Sequence, residues 1–398
     1  MGKGRYDLCV VGGLGHVGLP LSMAFANKGL KVCAFDISQQ ALETVRAGKL
    51  PFVEHGAEPV LEQVMAEGTL TCSDRAQSIG EADAVIVVTG TPVDNHLSPD
   101  FEALLHVFRA YEQFLRDGQL IVLRSTVYPG TTYRLQEFLE QSGHRVDVAY
   151  CPERIAEGYA VRELLTLPHI VSAVNPEAAA RARRLFEVLG PDIVELEPLE
   201  AEMAKLFTNV YRYLKFAIAN QFFTIANDSG LDYYRIHEAI KHDYPRAADL
   251  PAPGFAAGPC LYKDTIQLSA FNNHTFSLGH ASLLVNEGLP HYIVDKLRRR
   301  HDLAHKTVGI LGMAFKADVD DPRDSLAYKL RKILAFEAER VLCSDVHIRD
   351  PEFVTTDELI RRSDIIIIGA PHKQYKQLRI DGRLVVDIWN IFGKGCRI

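Results

Sequence analysis

Short runs of Val, Ile and Leu recur through the first half of this 398-residue chain, as "DLCVVGG", "KVCAFD", "AVIVVTG" and "QLIVLRS", with amphipathic helix-like stretches between them. A run that is apolar at every position has no face to offer water. Such runs, alternating with helices, specify a parallel sheet covered on both sides. The feature that narrows the fold most is Gly13-Leu14-Gly15-His16-Val17-Gly18. It follows the first run directly, opens the helix "LPLSMAFANKG", and precedes by about 20 residues Asp36, which ends the second run. In that setting the glycines form a dinucleotide-binding turn. Gly13 is expected to permit the tight turn, Gly15 to let the backbone approach a pyrophosphate, and Gly18 to let the helix pack on the strand. His16 and Val17 belong to the same cofactor-binding loop. A carboxylate at Asp36 would accept hydrogen bonds from ribose hydroxyls and repel a 2′-phosphate, so the expected cofactor is NAD rather than NADP.

Two later strand ends should reach the same sheet edge, because ligands of such sheets sit at the carboxyl ends of the strands. They are Thr89-Gly90-Thr91-Pro92 and Ser125-Thr126-Val127. Their hydroxyls suit ribose, phosphate or a reactive water, and equally a turn or helix cap.

From Pro198 to Ser229 the chain continues without Gly or further Pro, which predicts one long helix, apolar over more than half its face. A helix that apolar buries more than one side. It is expected to link domains and to pack against a second subunit, with Phe223 on the subunit-facing side. Lys205 and Asn209, at i and i+4, share one face. After residue 300 strand-like runs restart ("KTVGILGMAF", "RVLCSDV", "DIIIIGAP", "LVVDIWN"), separated by a helix from about Ser325. This predicts a second, smaller parallel sheet, and without GxGxxG it is not a second dinucleotide site. The expected class is therefore α/β. An N-terminal Rossmann-type doubly wound sheet spans 1–197, a central long-helix domain 198–302, and a smaller Rossmann-like α/β domain 303–398.

Net charge is −7, which argues against nucleic acid as the main partner. No apolar run reaches the length of a membrane span, and "LCVV" near the start is too short for a signal peptide core. Seven cysteines without paired spacing or CxxC suggest reduced thiols in the cytoplasm and no metal site. One of them, Cys260 in "GPCLYKD", stands beside Lys263 and Asp264 after a run of Pro, Gly and Ala. A lone Cys next to Pro is often a small buried hydrophobe, so its meaning depends on its surroundings.

Taken in order, the dinucleotide turn with its aspartate, "TGTPVD", "STVYPGTT", "CPERIAEG", "EMAKLFTN", "GPCLYKD" and "MAFKADVDDPRDS" resemble the nucleotide-sugar 6-dehydrogenases, the UDP-glucose and UDP-N-acetylhexosamine dehydrogenase family. The resemblance covers nearly the whole chain. It implies oxidation of a C6 primary alcohol of an NDP-sugar to the carboxylate with two NAD, a homodimer, and a place in polysaccharide biosynthesis. It also implies roles. Cys260 would be the nucleophile, forming a thiohemiacetal and then a thioester. Lys205 and Asn209 would flank the reacting oxygen, and Asp264 with Thr126 would activate the hydrolytic water. Glu153 would accept a proton and contact the sugar beside Arg154, and Glu157, at i+4 from Glu153, would lie near the nicotinamide. Thr91, Pro92, Lys263 and Arg323 would contact NAD, and Lys316 the substrate. Arg246 would reach the sugar nucleotide of a neighbouring subunit.

One stretch departs from the family pattern. Where a Gly-rich loop is usual, this chain has Phe255-Ala256-Ala257-Gly258-Pro259 before Cys260. Phe255, Ala257 and Gly258 are expected to line the sugar, with the Phe255 ring pointing either into the pocket or into a subunit interface. Two alternatives stay open at this point. One is a one-step hydroxyacid dehydrogenase, which would leave Cys260 without a role; the other is a member that binds NAD and NDP-sugar without turnover.

Overall fold

The computed structural model describes residues 5–90, 101–190, 192–396 and 398. Thr91 and Pro92 therefore lie outside the described residues. The described chain groups into two units, Met1–Thr208 and Asn209–Ile398.

In the first unit, β1 (Tyr6–Val11), β2 (Val32–Phe35), β3 (Leu70–Ser73), β4 (Ala82–Val87), β5 (Leu120–Leu123), β6 (Asp147–Tyr150), β7 (His169–Ala173) and β8 (Ile193–Glu195) form one sheet. Its order is β3-β2-β1-β4-β5-β6-β7-β8. The alternation of a pleated strand explains why the runs are apolar throughout: Leu8 and Val10 enter one core and Cys9 and Val11 the opposite one. Ile86 and Val122 follow the first pair, Val85 and Ile121 the second. The order of strand addition reverses between β1 and β4, which run parallel, and a fold of this kind has a crevice there at the carboxyl edge.

One pairing differs from the all-parallel expectation: β7 runs antiparallel to β6. Residues 151–168 join them, with only the short helix Ala160–Leu164 between. A connection between antiparallel neighbours need not cross the sheet. "CPERIAEG" thereby stays at the carboxyl edge. Glu153 and Glu157 sit on irregular backbone, so their i, i+4 spacing does not place them on a helix face.

The long helix runs Pro198–Asp228. In the second unit, the helices Leu261–Phe271 and Ser277–Arg300 lead to a parallel sheet of β9 (Thr307–Leu311), β10 (Arg340–Ser344), β11 (Ile365–Ile368) and β12 (Leu384–Val386), in the order β10-β9-β11-β12. The helix after β9 spans Leu326–Glu337, capped by the Ser325 hydroxyl. Among the described residues no helix is long and apolar enough to cross a membrane.

Candidate active site

The glycine turn of the first unit is built by three different constraints. The positive φ falls on Gly12 (+79°), whose N–H, like that of Gly13, donates to the Phe35 carbonyl. Gly13 has no room for a side chain, since a Cβ there would stand 2.7 Å from Ala34 Cα in β2. A Cβ at Gly18 would run into the Gly12 carbonyl. Among the described residues the only atom near a Cβ built at Gly15 is the Gly12 oxygen, at 3.8 Å, so none of them fills that space. The helix Gly18–Asn27 starts at Val17 without a side-chain cap; Leu19 N–H donates to the Gly15 carbonyl and Pro20 has no N–H, so the positive end of the helix dipole, rather than a row of open donors, is what it offers an anion. Asp36 accepts the Leu14 N–H through Oδ2 and the Ser38 N–H through Oδ1, both at 3.0 Å. The Asp36 carboxylate thereby braces the turn. His16 Nδ1 lies 3.1 Å from Glu157 Oε1 and its ring packs on Phe52. This turn, uncapped helix end and acidic strand end fit a dinucleotide.

Past β5 the chain turns through Arg124, Ser125 and Thr126, where the Ser125 hydroxyl donates to the Thr89 carbonyl. Thr126 is buried. Arg124, whose side chain is wholly buried, donates Nε and Nη2 to Glu153 Oε2 at 3.0 and 2.6 Å. Glu153 Oε1 accepts the N–H groups of Arg154 and Ile155. Both oxygens of Glu153 are thus held by donors of the protein itself. Arg154 donates to the Pro168 carbonyl. Lys205 is buried on the long helix, and three residues before it Glu202 accepts from Gly130 and Thr132. Nothing in the sequence pattern singled out Arg124 or Glu202. A charged residue at the end of an apolar strand and one inside an apolar helix were the available signals.

In the second unit Cys260 is the N-cap residue of the helix Leu261–Phe271, at the positive end of its dipole. None of the seven cysteines is in a disulfide; six are buried, and Cys260 alone is exposed. Burial pushes the Cys151 and Cys396 thiols up to about 12 and those of Cys72 and Cys343 to about 11. Those are inert core thiols. One turn on from Cys260, Asp264 is fully buried; its Oδ2 accepts from Asn209 Nδ2 at 2.5 Å and its Oδ1 lies 3.2 Å from Lys263 Nζ.

The loop before Cys260 is anchored on both sides. Asn220 of the long helix donates to the Gly254 carbonyl (3.0 Å) and accepts the Gly254 N–H (2.8 Å), and its amide also reaches Asn286. Phe255, 3% exposed, belongs to the hydrophobic core with Phe223, Tyr233 and Ile293. Its ring is therefore in neither of the two expected places. Neither Phe255 nor Ala257 has a positive φ, so these positions do not require glycine. Gly258 does: its φ is +101° and a Cβ would strike the Phe315 ring.

Arg323 grips Asp321 through Nε and Nη2, at 2.8 and 2.6 Å to Oδ2. Lys316 is half-buried in the same loop. Arg246 is exposed in a short turn, its guanidinium 5.8 Å from the Tyr244 ring. The same second sheet repeats the first in one detail. Asp345, just past β10, accepts the N–H groups of Met313 and Ala314 as Asp36 accepts that of Leu14. Here, however, His372 Nε2 lies 3.1 Å from the Asp345 carboxylate and the His372 side chain is wholly buried. The carboxylate in the place of Asp36 is thus engaged by another side chain, in keeping with a sheet that lacks GxGxxG.

With these features in place, comparison with known proteins is decisive. The chain matches three consecutive domains of one family: the NAD binding domain of the UDP-glucose/GDP-mannose dehydrogenase family over residues 7–190, its central domain over 199–287, and its UDP binding domain over 309–394. The chain belongs to that family. It is an NAD-dependent nucleotide-sugar dehydrogenase. It is 28% identical to an NDP-N-acetyl-D-galactosaminuronic acid dehydrogenase of Ralstonia nicotianae, the match covering 94% of each chain. It is 27% identical to a UDP-N-acetyl-D-mannosamine dehydrogenase of Pyrococcus horikoshii, over 97% of this chain and 92% of that one. Among solved structures, a UDP-glucose dehydrogenase from Pyrobaculum islandicum superimposes with a TM-score of 0.87 at 28% identity, covering 97% of this chain and 94% of that one.

Proposed function

We propose that this dehydrogenase oxidises the C6 primary alcohol of a UDP-N-acetylhexosamine to the carboxylate, with Cys260 as the covalent nucleophile. The observation that carries the reading is the single exposed thiol, standing at a helix N-terminus one turn from a buried aspartate. NAD, when bound, accepts a hydride in each of two oxidations. An aldehyde has no carbinol hydrogen to give in the second. Addition of the Cys260 thiolate to the aldehyde carbon supplies one, because the thiohemiacetal carries both an oxygen and a C–H bond. Loss of that hydride leaves a thioester. Water then adds to it, the C–S bond breaks, and the carboxylate leaves with Cys260 regenerated.

Lys205 and Asn209 are assigned to the developing oxyanions, as a cation and an amide donor. Asp264, with Thr126, is assigned to activation of the hydrolytic water. Glu153, with both oxygens engaged, suits orientation of its loop better than proton transfer. Gly13, Gly15, Gly18, His16, Val17, Asp36 and Glu157 are assigned to NAD together with Lys263 and Arg323. Arg154, Lys316, Ala257 and Gly258 are assigned to the sugar nucleotide. The class of sugar is supported by the names of the relatives, which include N-acetylhexosamine-type dehydrogenases.

The enzyme is further read as three domains, at 1–197, 198–302 and 303–398. It is also read as a cytoplasmic homodimer feeding polysaccharide synthesis, in which Arg246 of one copy serves the site of the other. The apolar, exposed residues Tyr211, Ile218, Phe222 and Ile225, spaced along one face of the long helix, support the dimer.

Counting NADH released per sugar tests the reaction. Two NADH with uronate as product is expected, and Cys260→Ala should form no acid while still binding NAD and UDP-sugar. One NADH per sugar, or acid formation by the alanine variant at more than a small fraction of the parent rate, overturns the covalent route.

A further inference from the structure

The helix Thr131–Gln141 lacks a cap of its own. Its first residue follows Gly130, which has φ +91° and no side chain to offer. The N–H groups of a first helical turn need acceptors, and Ser, Thr, Asp or Asn at the preceding position normally supplies one. Here the acceptor comes from 70 residues further on. Glu202 of the long helix takes the Gly130 N–H on Oε2 and the Thr132 N–H and hydroxyl on Oε1, at 2.8 and 2.6 Å. The Glu202 side chain is fully buried, and burial raises its pKa against the opposing pull of these hydrogen bonds.

A local cap would stabilise the helix as well without burying a carboxylate. What the distant cap adds is a fixed distance. The segment from Arg124 to Gly130, which carries Thr126, is held at its start by Arg124–Glu153 and by Ser125 to Thr89. Its end is held by Glu202, which stands one turn before Lys205 on the long helix.

We propose that Glu202 is a positioning residue. Its carboxylate, bonded to Gly130 and Thr132, sets the loop bearing Thr126 against the helical turn bearing Lys205. The proposal rests on the reading of Thr126 and Lys205 as working groups of the active site.

Glu202→Gln tests it. The change is isosteric but turns an NH₂ group toward N–H donors. The expected result is a fall in kcat of about tenfold to a hundredfold, the scale of a misplacement near 1 Å. KM for NAD should stay within about twofold, because the glycine turn and Asp36 are held separately. The assay is run well below the melting temperature of each variant, so that a loss of stability alone leaves kcat at the parent value. Combined with Lys205→Met, Glu202→Gln should cost little beyond Lys205→Met alone, since both act on one arrangement. An undiminished kcat in folded Glu202→Gln overturns the proposal, and so does strict additivity with Lys205→Met. An undiminished kcat in Lys205→Met instead overturns the role given to Lys205, and is read apart from the single Glu202 variant. Should Glu202→Gln not fold, Glu202→Asp keeps the charge and withdraws it by one methylene. It should show the same split between kcat and KM, and parent kinetics in it overturn the proposal equally.

Discussion

Asn209 Nδ2 donates to Asp264 Oδ2 at 2.5 Å, joining the long helix to the helix that begins beside Cys260. Asp264 has no exposure to solvent, and Lys263 flanks its other oxygen. The amide can only donate through that nitrogen, so it fixes which way the carboxylate faces. A buried acid aimed by an amide and flanked by a cation is held in one orientation without relying on water.

Asp264→Asn keeps the shape of this arrangement and removes the charge. If Asp264 activates the hydrolytic water, the two oxidations should proceed while the thioester persists. A rapid burst of NADH should be followed by turnover at least about a hundredfold slower. Intact-mass spectrometry should find the acyl group on Cys260. Parent turnover, or a slow variant with unmodified Cys260, would remove Asp264 from the hydrolytic step.

Asp36 braces the glycine turn and is proposed to face the ribose, and substitution can separate the two. Asp36→Asn retains an oxygen for the Leu14 N–H, whereas Asp36→Ala leaves that donor unpaired. Both should narrow the preference for NAD over NADP, since both remove the charge that repels a 2′-phosphate. The alanine variant alone should also lose about 1–3 kcal/mol of stability. Ratios of kcat/KM for the two cofactors and urea midpoints check this; an unchanged ratio in both variants moves the ribose contact elsewhere.

Much of this was legible in the sequence because strands and turns are local. The apolar runs, GxGxxG and Asp36 specified the first sheet and its cofactor edge. What escaped depends on partners far apart in the chain. Glu202 caps a helix 70 residues upstream, and Arg124 meets Glu153 across 29 positions. No pattern within a window shows such pairs. The positive φ of the turn falls on Gly12, outside the GxGxxG pattern, and the steric limit at Gly13 comes from β2, which is invisible in the turn itself. Phe255 and Phe223 were misplaced for a related reason: an aromatic residue in an apolar stretch looks the same whether it faces its own core or a partner.

The second sheet should report its buried pair in acid. Burial alone would raise the pKa of Asp345, but His372 and the N–H groups of His347 and Met313 outweigh it and bring the carboxyl down to about 2. A folded pKa below the unfolded one stabilises at pH values above the unfolded pKa. The contribution, about 2 kcal/mol, should vanish as pH falls from near 4 toward 2. The margin of the parent over Asp345→Asn in urea unfolding should shrink as pH falls below about 4. A margin independent of pH down to 3 would contradict the pairing.

Phe222 and Phe223 are adjacent and should behave oppositely. Phe222 lies on the exposed stripe, whereas Phe223 has no exposure and stacks edge-on against Tyr233 at 6.1 Å. Phe222→Glu should give folded monomers with little activity. Phe223→Glu puts an unpaired charge in a core and should unfold the second unit. Sedimentation and circular dichroism separate the two outcomes, and a folded, active, monomeric parent protein would end the dimer reading.

Phe255 raises the question of whether the departure from the glycine-rich loop changes the choice of sugar. Its ring is packed within the second unit's core, so it is not free to stack on a pyranose or to bar a substituent. Its backbone keeps an ordinary φ, and Asn220 holds the preceding residue by both N–H and C=O. The ring therefore secures the loop that leads to Cys260. Phe255→Gly should empty a core site at a cost of about 3–5 kcal/mol and loosen that loop. Values of kcat/KM should fall together for every UDP-sugar tested, leaving their ranking as in the parent. Unfolding midpoints and a panel of UDP-hexoses and UDP-N-acetylhexosamines decide it. A reordered panel with parent stability would return the ring to the sugar pocket.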